Sequence, residues 1–245
     1  VDIDSMIHAV GFPYGQWNET HIPCLANMLE AAKISGSKFI FADNIYAYGK
    51  QPQAVDEDVT KLPHTKKGKL RLQMETMVKE SGIPYLIAHV PDVFGPNAKN
   101  TILYDTLRGA IQNKAGYFVG RMDVTREFAY TKDVAESIVA LALNPNSFNQ
   151  NWNIPGCLKI SGQELKVLLQ QLVGNRPKIR VATSKHIAFL ALFSSFMTEQ
   201  KEMMYLTETP VILNATKLEK ALGTIPFTDR TESLRETMDW IKKNV

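Results

Sequence analysis

Lys38-Phe39-Ile40-Phe41-Ala42, followed by Asp43-Asn44-Ile45-Tyr46-Ala47-Tyr48-Gly49, decides the fold. A short apolar run bounded by turn residues reads as a strand buried on both faces. The polar and aromatic loop ends it. After a turn-rich excursion, Pro63-His64-Thr65-Lys66-Lys67-Gly68-Lys69-Leu70-Arg71 opens a basic helix. Its apolar positions Leu70, Met74, Met77 and Val78 recur at helical spacing until Gly82. A strand that ends in polar groups and feeds a helix displays side chains at the carboxyl edge of a parallel sheet, where open α/β sheets bind ligands.

Upstream, Ile3, Met6, Ile7, Ala9 and Val10 read as a short buried strand ending at Gly11. The next helix carries Ile22, Leu25, Ala26, Leu29 and Ala32 on one stripe and is closed by Gly36. Strand, helix, strand makes a right-handed βαβ unit. Downstream, Pro84 to Val90 is a further buried strand, and Pro91 to Pro96 reads as a breaker-rich loop. A helix over 101–114, a short strand over 116–120 and an alternating segment Arg126–Tyr130 follow. Thr131 is placed as the N-cap of a helix over 132–143. The polar connector Asn144–Asn151 separates a larger unit, 1–150, from a smaller lobe, 151–245. In that lobe Ser161 and Glu164 form a capping box. Ser184 to Met197 reads as one apolar helix, placed in the core or between lobes. Helices over 217–222 and 231–243 close the chain. The fold class is α/β with a doubly wound parallel sheet.

Composition narrows the function. The chain has 245 residues and a net charge of only +3, so no nucleic-acid partner is expected. Lys61, Lys66, Lys67, Lys69 and Arg71 form the one basic cluster, either a solvated helix face or an anion site. Cys24 and Cys157 are far apart and form no CxxC pair, which points to a reducing cytoplasm and no thiol-held metal. The longest apolar run, Ile187–Phe193, is too short to span a bilayer, and no membrane partner is expected. Asp2 and Asp4 stand where a signal peptide would be basic. The five histidines show no metal spacing, and no Gly-x-Ser-x-Gly element is present.

Tyr48-Gly49, Gly68, Glu75, Gly95-Pro96, Arg126 and Asp133-Val134-Ala135, in this order, resemble the extended short-chain dehydrogenase/reductases, the NAD-dependent epimerase/dehydratase proteins. The resemblance covers nearly the whole chain and is loosest after Asn151. It implies a partial Rossmann-like domain over 1–150 and a substrate-binding lobe over 151–245. It begins at what would be the family's fourth strand, without the glycine-rich phosphate loop; Gly11 and Gly15 stand in the wrong context. A piece of a longer polypeptide is therefore expected. The segment alone is expected to bind dinucleotide weakly or not at all.

The resemblance also implies a site. The family's Ser/Thr, Tyr and Lys positions fall on Asn44, Lys67 and Arg71, so the whole proton-transfer set is replaced. Arg71 can hold ribose hydroxyls but is no general acid near neutral pH. Lys67 acts as an acid only if burial and Arg71 depress its pKa. Cofactor contacts fall on Val10, Gly11, Asp43, Lys67, Arg71 and Val90, and substrate contacts on Tyr46, Asp92 and Arg126. The matching arginine of the sugar-nucleotide enzymes grips a diphosphate, a task suited to bidentate geometry; a salt bridge from Arg126 to Glu127 or Asp133 is the competing role. The implied activity is NAD- or NADP-linked oxidoreductase, epimerase or dehydratase chemistry on a small carbonyl or sugar nucleotide. The alternative is a dinucleotide sensor or scaffold that kept the fold without the chemistry. A homodimer through the helices at Ile22–Lys33 and Leu70–Lys79 is a further expectation.

Overall fold

The computed structural model describes residues 3–244. The strands are β1 (Ser5–His8), β2 (Lys38–Asn44), β3 (Tyr85–Val90), β4 (Asp92–Phe94), β5 (Ala115–Val119), β6 (Arg126–Tyr130), β7 (Gln150–Asn153), β8 (Leu158–Ile160) and β9 (Lys178–Ala182). The α-helices are α1 (Trp17–Ser35), α2 (Lys66–Glu80), α3 (Tyr104–Ile111), α4 (Thr131–Leu143), α5 (Gly162–Val173), α6 (Ser184–Leu190), α7 (Ser195–Met203), α8 (Thr216–Leu222) and α9 (Arg230–Asn244).

The main sheet runs β1-β2-β3-β7, every pair parallel. Period-two geometry sorts β2 between two cores. Phe39 and Phe41 pack with Leu25 and Leu29 of α1 and with Leu70, Met74 and Val78 of α2. Ile40 joins Leu86, Ala88, Trp152, Ile138 of α4 and Leu218 of α8 in a second core. Helices on both faces make the sheet doubly wound, as expected. A third core joins Phe94, Leu107, Phe128, Leu158, Leu165 and Leu234, under the small sheet β4-β6-β8. β5 and β9 form a separate parallel pair. Chain beyond residue 150 enters all three cores. β7, which begins at Gln150, completes the main sheet, and Met203, Tyr205, Val211 and Leu213 pack into the first core.

Four readings of the sequence need correction. Among the described residues β1 is an edge strand paired with β2 alone, and Ile7 points outward, so it is not the buried strand its apolar run suggested. Asp92–Phe94 is a strand rather than a loop; pairing with β6 overrides the flanking Pro91, Gly95 and Pro96. Thr131 is the first helical residue of α4, and Tyr130 occupies the cap without a capping bond. The stretch Ser184–Met197 breaks into α6 and the start of α7, and much of its apolar surface faces outward. The Ser161–Glu164 capping box is present in full.

Candidate active site

The site grows from the end of β2 and the first turns of α2. Thr65 caps α2 by accepting the Gly68 amide at 3.0 Å. A Cβ at Gly68 would lie 2.6 Å from the Tyr46 carbonyl oxygen, so only glycine lets the helix start press against the loop after β2. That contact carries Lys67 and Arg71 to the carboxyl edge. Both are buried, Lys67 to 3% exposure.

Arg71 Nη1 lies 3.2 Å from Asp43 Oδ1, and its guanidinium stacks 4.5 Å from the Trp17 ring. Its Nη2 is 3.4 Å from His21 Nε2. Among the described residues, Arg71 Nε, Asp43 Oδ2, His21 Nδ1 and both His8 ring nitrogens are buried without a hydrogen-bond partner. Burial pushes the Asp43 carboxyl up to about 6, against the pull of Arg71. Burial, with Arg71 nearby, lowers His21 to about 4 and also lowers His8.

Lys67 is held by two carboxylates of α7, ion-pairing with Glu199 and, at 2.8 Å, with Glu202. Glu202 also accepts the Lys67 amide at 3.0 Å. These glutamates, rather than Arg71, are the charges beside the Lys67 ammonium. The ammonium also sits 4.8 Å over the Tyr14 ring. Tyr14 and Tyr46 share a hydrogen bond of 2.7 Å between their hydroxyls. Burial pushes Tyr14 up to about 12 and Tyr46 well above its ordinary value. The negative charge of Asp92 adds to both rises.

Asn44 spends its side-chain oxygen locally, accepting the Tyr46 amide at 2.9 Å and shaping the turn that presents that phenol. Arg126 donates to Asp92 at 2.7 Å and to the Val119 carbonyl at 3.1 Å; its salt-bridge partner is Asp92, not Glu127 or Asp133. Glu127 accepts the Gly156 and Leu213 amides, and Asp133 accepts from Thr228. Val90 is buried at the end of β3, while Val10 and Gly11 lie exposed beyond β1. Lys67, Arg71 and Tyr46 thus meet around Tyr14 and Trp17, and Asn44 joins them through the Tyr46 amide.

A second charged cluster lies behind Asp43. Glu75 ion-pairs with Lys61 and, at 2.6 Å, with Lys79, and it accepts from Asn151 at 2.9 Å. Lys61 Nζ is 2.8 Å from His89 Nε2. Burial pushes the Glu75 carboxyl up, but His89 and Lys61 outweigh it and hold it down to about 2. Burial and Lys61 lower His89 to about 3. Asp43, Glu75 and His89 offer ligand atoms within 4.8 Å of one another, a set that could hold a metal ion. The Lys61 ammonium already occupies that place as the cation, so a divalent ion would have to displace it. A recess of about 480 Å³ opens on the far side of this cluster, lined by Glu57, Asp58, Lys61, Glu75, Lys79 and Lys217. It is not at the tyrosine pair.

Tyr14, Trp17, Glu199 and Glu202 were not among the residues singled out from sequence. Tyr14 and Trp17 follow a parallel strand, and that topological position could have flagged them. The glutamates lie more than 130 residues from Lys67 on an exposed-looking helix, where no local pattern marks them.

Residues 10–154, more than half of the chain, match the family described as "Epimerase: NAD dependent epimerase/dehydratase family". An uncharacterized UDP-glucose epimerase of Bacillus subtilis, YtcB, is 27% identical over 170 residues, which cover 67% of this chain and 53% of that protein. The chain thus spans about half the length of this curated relative. A UDP-N-acetyl-alpha-D-glucosaminuronate decarboxylase of Bacillus cytotoxicus is 25% identical over 238 residues, 92% of this chain and 70% of that one. The fold superposes with a TM-score of 0.80 on the UDP-glucuronic acid 4-epimerase of Bacillus cereus in complex with NAD; the two are 22% identical, over 99% of this chain and 76% of that chain.

Proposed function

We propose that this chain, which belongs to the NAD dependent epimerase/dehydratase family, forms the substrate side of an NAD(P)-linked enzyme acting on a UDP-sugar, with an altered Ser-Tyr-Lys site. One observation carries the reading. Lys67 and Arg71 lie at one sheet edge beside the hydrogen-bonded Tyr14–Tyr46 pair, whose turn Asn44 shapes; on our reading Asn44, Lys67 and Arg71 stand at the family's proton-transfer positions. The names of the curated relatives, a UDP-glucose epimerase and a UDP-N-acetyl-alpha-D-glucosaminuronate decarboxylase, support UDP-sugars as the substrate class.

The residues present fit the nicotinamide end of a dinucleotide. Asp43 Oδ2 and Arg71 Nε are buried without hydrogen-bond partners on side chains that ion-pair through Oδ1 and Nη1, and ribose hydroxyls would satisfy both. Val10, Gly11 and Val90 line the same edge. When bound, the nicotinamide supplies the hydride chemistry. The chain's own residues position and polarise the sugar. Tyr46 and Tyr14 stay neutral because burial holds their protons, so one hydroxyl donates to the other, the accepting one is free to donate to a sugar oxygen, and neither acts as a base. Lys67 ties α7 across the site through Glu199 and Glu202 and adds positive potential to Tyr14. Arg126, presented with Asp92, takes the substrate diphosphate. We place the protein in the cytoplasm and its homodimer contact on α1 and α2, where Ala26, Leu29, Lys33 and Met77 line an open recess.

A sensor role without turnover is the second reading, favoured by the Lys67 ammonium being matched by two carboxylates in place of a substrate-facing phenol. Turnover of UDP-sugars by the full chain separates the two. Tyr46→Phe and Arg71→Ala are each expected to lower kcat/KM at least about a hundredfold, the scale of one preorganised donor. Unchanged turnover in both variants sinks the assignment.

A further inference from the structure

Asp92 puts a negative charge on the very arginine assigned to the substrate diphosphate. Sheet register brings the two together. β4 and β6 run parallel with Asp92 opposite Phe128, and Arg126 stands two residues before Phe128 on the same face. Arg126 reaches along that face, lies 5.0 Å from the Phe128 ring centroid, and donates from Nη2 to Asp92 Oδ2 at 2.7 Å. An aspartate side chain is short. While β4 stays paired with β6, its charge therefore stays beside the guanidinium.

Exposure decides which member of the pair a ligand meets. The Arg126 side chain is 3% exposed and that of Asp92 is 25% exposed. The guanidinium is also occupied on its other arm, where Nη1 donates to the Val119 carbonyl at 3.1 Å. Among the described residues, Asp92 is the carboxylate that pairs with it. A group arriving from solvent thus meets the carboxylate before the cation. For an uncharged group this is no obstacle. A diphosphate meets like charge, and it gains the arginine's paired donors only by taking Nη2 from Asp92. The carboxylate is then left half-buried beside a bound anion, which costs affinity.

We propose that Asp92 sets the charge selectivity of this site: it stands in for a diphosphate at Arg126, so that phosphate-bearing ligands bind only against its competition. This deepens the UDP-sugar reading and rests on the role given there to Arg126. Discrimination of this kind comes from a repulsive group built into the site, not from a missing contact.

The test is calorimetric titration of the NAD-loaded full-length protein with UDP and, separately, with uridine. Asp92→Asn keeps the shape of the side chain and an oxygen that accepts from Arg126, and removes the charge. It is expected to tighten UDP at least about tenfold and to leave uridine unchanged. Asp92→Ser also removes the charge and is expected to favour UDP in the same way, so the result does not hang on one variant. Asp92→Glu keeps the charge and should show no gain. In Asp92→Asn/Arg126→Gln the gain should disappear. A purely structural Asp92 would not separate UDP from uridine. The proposal is overturned if removing the charge leaves UDP affinity unchanged or lower while Arg126→Gln still weakens UDP; the UDP-sugar reading then stands without it. It is also overturned if UDP and uridine gain equally. If Arg126→Gln changes UDP affinity in neither background, the diphosphate role of Arg126 falls, and the proposal falls with it.

Discussion

Acidification from neutral pH should destabilise this fold before its surface carboxylates protonate, because buried imidazoles line the site. His89 and His21 have folded-state pKa values lowered to about 3 and about 4. A histidine lowered in this way contributes stability that is present above its unfolded pKa and lost as pH falls toward the folded value. Between pH 7 and pH 5 each stays neutral in the fold while the unfolded chain takes a proton, costing about 1.9 kcal/mol per residue. Asp43 has the opposite sign. Its pKa is raised to about 6, so falling pH protonates it in the fold first and returns stability. That return is about 1.3 kcal/mol over the same window. The net loss is roughly 2.5 kcal/mol, or about 5–10 °C of Tm for a chain of this size. Scanning calorimetry from pH 7 to pH 5 reads it directly. In His21→Phe the loss should shrink by about 1.9 kcal/mol, whatever the variant's absolute stability. A Tm that holds or rises on acidification, or the same slope in His21→Phe, would refute the assignment of neutral buried imidazoles.

Further expectations concern single contacts. Lys61→Met leaves Glu75 buried without its principal cation and should cost about 3–5 kcal/mol in urea denaturation. Tyr48→Phe removes the hydroxyl that donates to Asn153 Oδ1 at 2.6 Å and should cost about 1–3 kcal/mol by the same measurement. Ser161→Ala removes the hydroxyl that accepts the Glu164 amide, leaving the backbone amide of residue 161 to donate to Glu164, and should cost about 1 kcal/mol, with no change in ligand affinity.

The β2–α2 region was legible because each signal there is local. The apolar run Phe39–Phe41 fixes a strand, Thr65 caps a helix, and Gly68 permits the close approach of the two. What failed needed information from elsewhere in the chain. Asp92–Phe94 looks like a loop until Phe128–Tyr130 lies beside it. Ser184–Met197 looks like core because hydropathy records composition, not what covers it. The family resemblance set Asn44, Lys67, Arg71 and Arg126 around one crevice; Lys67 and Arg71 lie beside Tyr14 and Trp17, and Asn44 joins them through the Tyr46 amide, while the contacts of Arg126 are with Asp92, Val119 and Phe128. It could not reveal that Glu199 and Glu202 would claim the Lys67 ammonium, or that Tyr14 would pair with Tyr46, because both are long-range tertiary contacts. Asp92 emerges as the partner of Arg126 only in three dimensions.

The most direct measurement is the absorbance of bound nicotinamide when the NAD-loaded full-length protein is mixed with UDP-glucose or UDP-glucuronic acid. A reduced-nicotinamide signal should appear with wild type and be lost in Tyr46→Phe. Tight NAD binding with no reduction by any UDP-sugar would contradict an enzyme at this edge and leave a sensor in its place.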